Sequence, residues 1–285
     1  MSRLGTLPPG RRPLRLALCL LAVVTLAGAC TSSPPPAPTV PRNPDAVAPD
    51  LAGTKPGKAP APADRCHESG NEPAAKVVLT TSDKVHLAGV RFGTGAKGVL
   101  LLPQNGADLC PWWSYASELL NQGFLVLAID LRGTGFSEVG TTKDYTADAA
   151  AGVAALKADG AKRVVIIGAS LGAATALVTA GRIADQVAGI VSLSYPDDNL
   201  DVTGGTGKEP HTPIQAAGLI TVPMMVCFTA GDKLGAPRPE DIVDAAHTAV
   251  KQLVGRPGVS HGWDMLKVGD DDVRPDLLKF LKSYA

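Results

Sequence analysis

The chain has 285 residues, 45% of them apolar and 19% charged, with 27 Lys+Arg against 27 Asp+Glu for a formal net charge of zero. This is the composition of a globular body, and its balanced charge disfavours nucleic acid or another polyanion as partner. No motif in it calls for a metal or an organic cofactor: Gly204-Gly205-Thr206-Gly207-Lys208 lacks the spacing of a phosphate loop, and Cys66-His67 has no further ligands at zinc-like spacing.

The first segment is a leader. Arg3, Arg11, Arg12 and Arg15 precede an apolar run over 16–29, which is short for a membrane span and has the shape of an export signal. Leu26-Ala27-Gly28-Ala29-Cys30 resembles a bacterial lipoprotein box. That resemblance implies removal of 1–29, lipidation of Cys30 and attachment to the outer face of the cell membrane. Plain secretion and a retained anchor helix are the alternatives. Residues 30–71 are rich in proline and alanine, a composition that stays extended, and they read as a flexible linker. Residues 72–285 then form one domain with a sizeable core.

Five cysteines are present. Cys19 falls in the leader, Cys30 is the candidate lipid site, and Cys227 lies in an apolar run that reads as core. Cys66 and Cys110 are left, and an exported chain meets conditions in which disulfides persist. A Cys66–Cys110 bridge is expected, tying the segment before the first strand to a loop near the site.

In chain order, 76–81 and 85–92 read as strands of a hairpin, and 98–103 as a strand buried on both faces. A helix is expected from Pro111 to Gln122, stopped by Gly123, followed by a buried strand over 124–129 and a helix over 146–158. A β-branched run from Arg163 meets an alanine-rich helical run after Gly172. Strands over 187–194 and 223–229, a helix over 242–253 and a closing helix over 275–283 complete the pattern. Alternation of this kind specifies an α/β fold, a mostly parallel sheet of about eight strands with helices on both faces. The stretch between Ser194 and Pro223 is short, with room for a small flap but no large cap.

Between the Arg163 strand and its helix stands Gly168-Ala169-Ser170-Leu171-Gly172. A strand that turns directly into a helix holds the central residue in a strained backbone conformation, and the positions two away must be nearly bare. The serine hydroxyl then projects above the sheet with helix amides beside it. With this elbow after the 124–129 strand, the chain resembles the α/β-hydrolase family across nearly all of 76–284. The stretch from Gln122 to Ser137, which contains Asp130-Leu131-Arg132-Gly133-Thr134-Gly135-Phe136-Ser137, is similar to a long signature of that family. Asp130 and Arg132 are read as loop-forming, without a chemical role.

The resemblance implies a serine nucleophile, an acid and a histidine in that chain order. His67 and His86 precede Ser170, His211 lies in a glycine- and proline-rich loop, and His247 falls inside the expected 242–253 helix. His261, in Val259-Ser260-His261-Gly262, is the candidate base. Asp232, after the 223–229 strand, is the candidate acid, with Asp197 or Asp198 as alternatives. The oxyanion donors implied are the backbone N–H groups of Leu171 and, in the Gln104-Asn105-Gly106 loop, of Asn105. The function expected is an extracytoplasmic serine hydrolase acting on a small ester, or a thioester or amide, through an acyl-enzyme on Ser170. An acyltransferase with the same groups, or a non-catalytic binding lipoprotein, are the alternatives.

Overall fold

The computed structural model describes Cys66 and residues 74–285. The leader, Cys30 and the proline-rich stretch apart from Cys66 lie outside the described residues.

Eight strands form one sheet: β1 (Ala74–Thr80), β2 (His86–Phe92), β3 (Lys97–Leu102), β4 (Leu125–Ile129), β5 (Arg163–Ala169), β6 (Gly189–Leu193), β7 (Met224–Thr229) and β8 (Lys251–Arg256). Their spatial order is β1-β2-β4-β3-β5-β6-β7-β8. The β1–β2 and β2–β4 pairs are antiparallel and every pair from β4 to β8 is parallel. All five residues of β4 and of β6 are buried, as parallel strands covered on both faces must be.

Among the described residues six helices cover the sheet: α1 (Trp113–Asn121), α2 (Tyr145–Ala158), α3 (Leu171–Arg182), α4 (Pro213–Ala217), α5 (Pro239–Ala245) and α6 (Arg274–Tyr284). One face carries α2, α3, α4 and α5, through Val153, Leu177, Ala216 and Ile242 among others. The other carries α1 and α6, through Trp113, Leu119, Leu277 and Phe280. Local chemistry starts these helices where the pattern requires. The Asp144 carboxylate accepts the N–H groups of Thr146 (3.1 Å) and Ala147 (3.2 Å) at the head of α2. Among the described residues no helix is long and apolar enough to cross a membrane.

One expectation is corrected. The helix over 242–253 does not form: α5 starts earlier, at Pro239, and Lys251–Arg256 is β8, paired in parallel with β7 from Met224 to Thr229. Proline is suited to the first turn of a helix, and β-pairing at a sheet edge overrides the helical preference of the alanines and lysine. His247 is accordingly an exposed loop residue whose N–H reaches Ile220 O, and not a helical one. The 195–222 stretch carries the short α4 and no large cap. The Arg182 guanidinium, at the far end of α3, binds Pro210 O (2.9 Å), Lys208 O (2.8 Å) and Thr146 Oγ1 (2.7 Å), which ties the stretch to the start of α2.

Candidate active site

The parallel strands all end at one edge, and the site is built there. At the end of β5, Ser170 has φ +50°, and Leu171 is the first residue of α3. The Ser170 N–H donates to Leu193 O of β6 (2.9 Å), while its own carbonyl accepts from Ala173 (2.9 Å) and Ala174 (3.0 Å). A side chain on Gly168 would overlap the Gly172 carbonyl, and one on Gly172 would overlap the Leu102 carbonyl of β3. Both glycines are therefore required by backbone approaching backbone, and no side-chain adjustment relieves it. Leu171, as the first helical residue, has an amide N–H without an intrahelical acceptor.

Two loops bring the other groups. After β7, Asp232 is almost wholly buried; its Oδ1 accepts the N–H groups of Leu234 (2.9 Å) and Gly235 (3.1 Å). Its Oδ2 lies 2.8 Å from His261 Nδ1. An ionised carboxylate there makes Nδ1 the protonated ring nitrogen and leaves Nε2 as the acceptor. The loop after β8 that carries His261 is pinned from several sides. Gly231 N–H donates to Gly258 O (2.8 Å) and Thr229 Oγ1 to Ser260 O (2.9 Å). Gly262, at φ +58°, sits against Ala169, the residue before Ser170, and against the Gln104 side chain. The histidine backbone is thus packed directly on the elbow.

The structure pairs Asp232 with His261 at this edge, and Gly262, next to His261, packs against Ala169, next to Ser170. Asp197 and Asp198 are engaged elsewhere: Asp198 accepts Tyr195 OH (2.8 Å), and Asp197 accepts its neighbour Asn199 N–H (2.7 Å). Gln104, Asn105 and Gly106 form a turn above β3, closed by Ala107 N–H to Gln104 O (3.2 Å), with Asn105 exposed. Cys66 and Cys110 are joined by a disulfide, and Cys227 is a buried free thiol whose burial pushes its pKa up.

Two contacts escape a reading of the sequence. Asp271 accepts Gly258 N–H (2.8 Å) and Ser260 N–H (3.1 Å), so it clamps the loop just ahead of His261. Hydrogen bonding from Ser260 first, and then Gly258, holds its carboxyl below the ordinary range. It sits in the run Asp270-Asp271-Asp272, which in a sequence looks like a solvated acidic turn. Gln104 packs its side-chain oxygen, buried and without a hydrogen-bond partner, against Gly262.

The loop after β4 is structural. Asp130 accepts Leu109 N–H (2.7 Å) and Phe136 N–H (2.8 Å), tying the loops after β3 and β4 together. Arg132 is buried between Asp148 (2.8 Å) and Asp83 (2.7 Å). The Arg132 hydrogen bonds lower Asp83 to about 2, whereas burial raises Asp148 to about 6 against the same guanidinium. A cavity of about 530 Å³ opens between α1 and α6, spanned by the Arg274–Glu118 pair, and includes none of the three site residues. Among the described residues no group of three or more His, Cys, Asp or Glu is arranged to hold a metal.

Residues 98–206 match a family model described as the alpha/beta hydrolase fold. The fold is that of the α/β hydrolases. An esterase of Pyrococcus furiosus, Pf2001, superposes with a TM-score of 0.63 at 21% identity over 76% of this chain and 96% of its own. An esterase of Exiguobacterium antarcticum gives 0.58 at 14% identity, covering 73% and 100%. The thioesterase domain from the curacin biosynthetic pathway gives 0.54 at 13%, covering 73% and 99%. No curated protein sequence matches the chain.

Proposed function

We propose that this α/β-hydrolase-fold protein is a serine hydrolase that cleaves a carboxylic ester through an acyl-enzyme on Ser170. The observation that carries the reading is the buried 2.8 Å contact of Asp232 with His261 Nδ1, on a loop packed against the residue preceding a serine in a strained elbow. In this reading His261 Nε2 takes the Ser170 proton as Oγ attacks the carbonyl, then returns it to the leaving oxygen. Asp232 orients the ring and stabilises the imidazolium. The developing oxyanion faces the Leu171 amide and an amide of the Gln104–Gly106 turn, the assignment to Asn105 being ours. Water repeats the cycle in the reverse sense and frees Ser170. Among the described residues no hydrogen bond joins Ser170 Oγ to the ring; catalytic contacts of this kind commonly close only around substrate.

The esterase and thioesterase likenesses support an ester or thioester of a small molecule as substrate. The Cys66–Cys110 disulfide supports an exported protein, in line with the leader and the lipoprotein-type Cys30. The test is hydrolysis of nitrophenyl esters of increasing acyl length by the purified full chain. Turnover by the parent and its loss in Ser170→Ala are expected; equal rates in both would end the assignment.

A further inference from the structure

The cavity of about 530 Å³ between the second half of α1 and the first half of α6 takes no part in the chemistry proposed for Ser170. Its volume is in the range of sites that enclose a small organic molecule. Leu119 and Leu278 give it apolar walls, and the Tyr115 ring adds to them. Of the residues lining it, Glu118, Asp272 and Arg274 carry charge.

Two features of this cavity call for a group that the protein does not supply. Tyr115 is only 5% exposed, yet its hydroxyl has no hydrogen-bond partner. Burial first, and then the charge of Glu118, push its pKa up, so it is a neutral phenol at physiological pH. A buried hydroxyl left unpaired is unfavourable, and few native ones stay so. The second feature is a surplus of negative charge. Arg274 donates from Nε (3.0 and 3.2 Å) and Nη2 (2.8 Å) to both oxygens of Asp272, and from Nη1 to Glu118 Oε1 (2.8 Å). Two carboxylates thus share one guanidinium. Asp272 spends both oxygens on it, whereas among the described residues Glu118 engages through Oε1 alone. Glu118 follows Tyr115 by three residues and so shares its face of α1.

We propose that this cavity is a second binding site, for a small organic cation made of an ammonium group on an apolar body. The ammonium donates to the free Glu118 oxygen and to the Tyr115 oxygen, with the tyrosine ring beside it. The apolar body lies against Leu119 and Leu278. An anionic ligand meets the opposite situation, since it must displace Glu118 or Asp272 to reach Arg274. The proposal is independent of the hydrolase reading, because none of its residues belongs to the Ser170 site.

The test reads binding and not turnover. Titration calorimetry on the purified full chain at pH 7 compares 4-phenylbutylammonium with 5-phenylpentanoate, which has the same body and the opposite charge. The ammonium is expected to bind at least about tenfold more tightly than the carboxylate. Glu118→Gln is expected to weaken the ammonium at least about tenfold, and Tyr115→Phe about threefold. Tyr115→Phe also separates a binding role from a structural one. Removing an unpaired hydroxyl leaves the thermal midpoint of the free protein equal or higher, so weaker binding then comes from the lost ligand contact. No binding of the ammonium at millimolar concentration, or a carboxylate that binds as well, would overturn the proposal. So would an ammonium affinity that both substitutions leave unchanged, because the ligand would then sit elsewhere.

Discussion

The two halves of the site are held in different ways. On the β5–α3 side, Ser170 is fixed by backbone packed on backbone: two glycines with no room for a side chain, and main-chain bonds to β6 and to the first turn of α3. On the β7–β8 side, Asp232 and His261 sit on longer loops fixed by side chains reaching from elsewhere, Thr229, Asp271 and Gln104 among them. A site held by sterics tolerates almost no substitution. One held by a set of separate bonds yields gradually as they are removed.

This contrast can be broken at its stiff end first. Gly172→Ala places a methyl group into the Leu102 carbonyl and should cost more than about 4 kcal/mol, seen as loss of soluble folded protein. A variant with near-parental thermal midpoint would show that the elbow is looser than described. Next, Asp232→Asn should leave the fold intact and lower kcat/KM by about 10³-fold, because the amide favours the wrong imidazole tautomer. A loss below about tenfold would remove Asp232 from the chemistry.

The buried Arg132 pair tests the scaffold beneath both halves. Arg132→Gln leaves Asp148 buried without a cation, at a cost of about 3–5 kcal/mol at neutral pH, or roughly 2–4 °C of thermal midpoint per kcal/mol. The sign with pH follows from the raised pKa. The Asp148 carboxyl, already at about 6 in the parent against 3.8 in the unfolded chain, is raised further without Arg132. The variant's carboxyl therefore takes up its proton at a higher pH than the parent's, so the deficit shrinks as pH falls toward about 6 and stays level below that, where both are protonated. Melting curves at several pH values check this; a deficit independent of pH would contradict it.

The smallest effect is expected at the compliant end. Asp271→Asn weakens the clamp on Gly258 and Ser260 and should lower kcat about tenfold with KM little changed, since a loosened base is a misplaced one. A change confined to thermal stability would make Asp271 structural only.

The same division explains what could be read from the sequence. Backbone sterics demand particular residue types at fixed local spacing, so the elbow and the Gln122–Ser137 stretch are recognisable from sequence alone. The parallel sheet was legible for a similar reason, because β3, β4 and β5 are uninterrupted apolar runs. β8 was not: Lys251–Arg256 is an edge strand with only one half-buried face, and its identity comes from pairing with β7. The Asp271 clamp and the Gln104 contact with Gly262 are not legible, because what they touch lies far along the chain or on backbone atoms that every residue possesses. Asp232 could be proposed from its place after a strand, but only its distance to His261 separates it from Asp197 and Asp198.

The central claim is that Ser170 is a nucleophile activated by His261. Peptide mapping after treatment of the full chain with a fluorophosphonate tests it most directly. The account predicts one adduct, on Ser170, formed at neutral pH and suppressed in His261→Ala. An unmodified Ser170 in the folded parent, or labelling that is undiminished without His261, would contradict it.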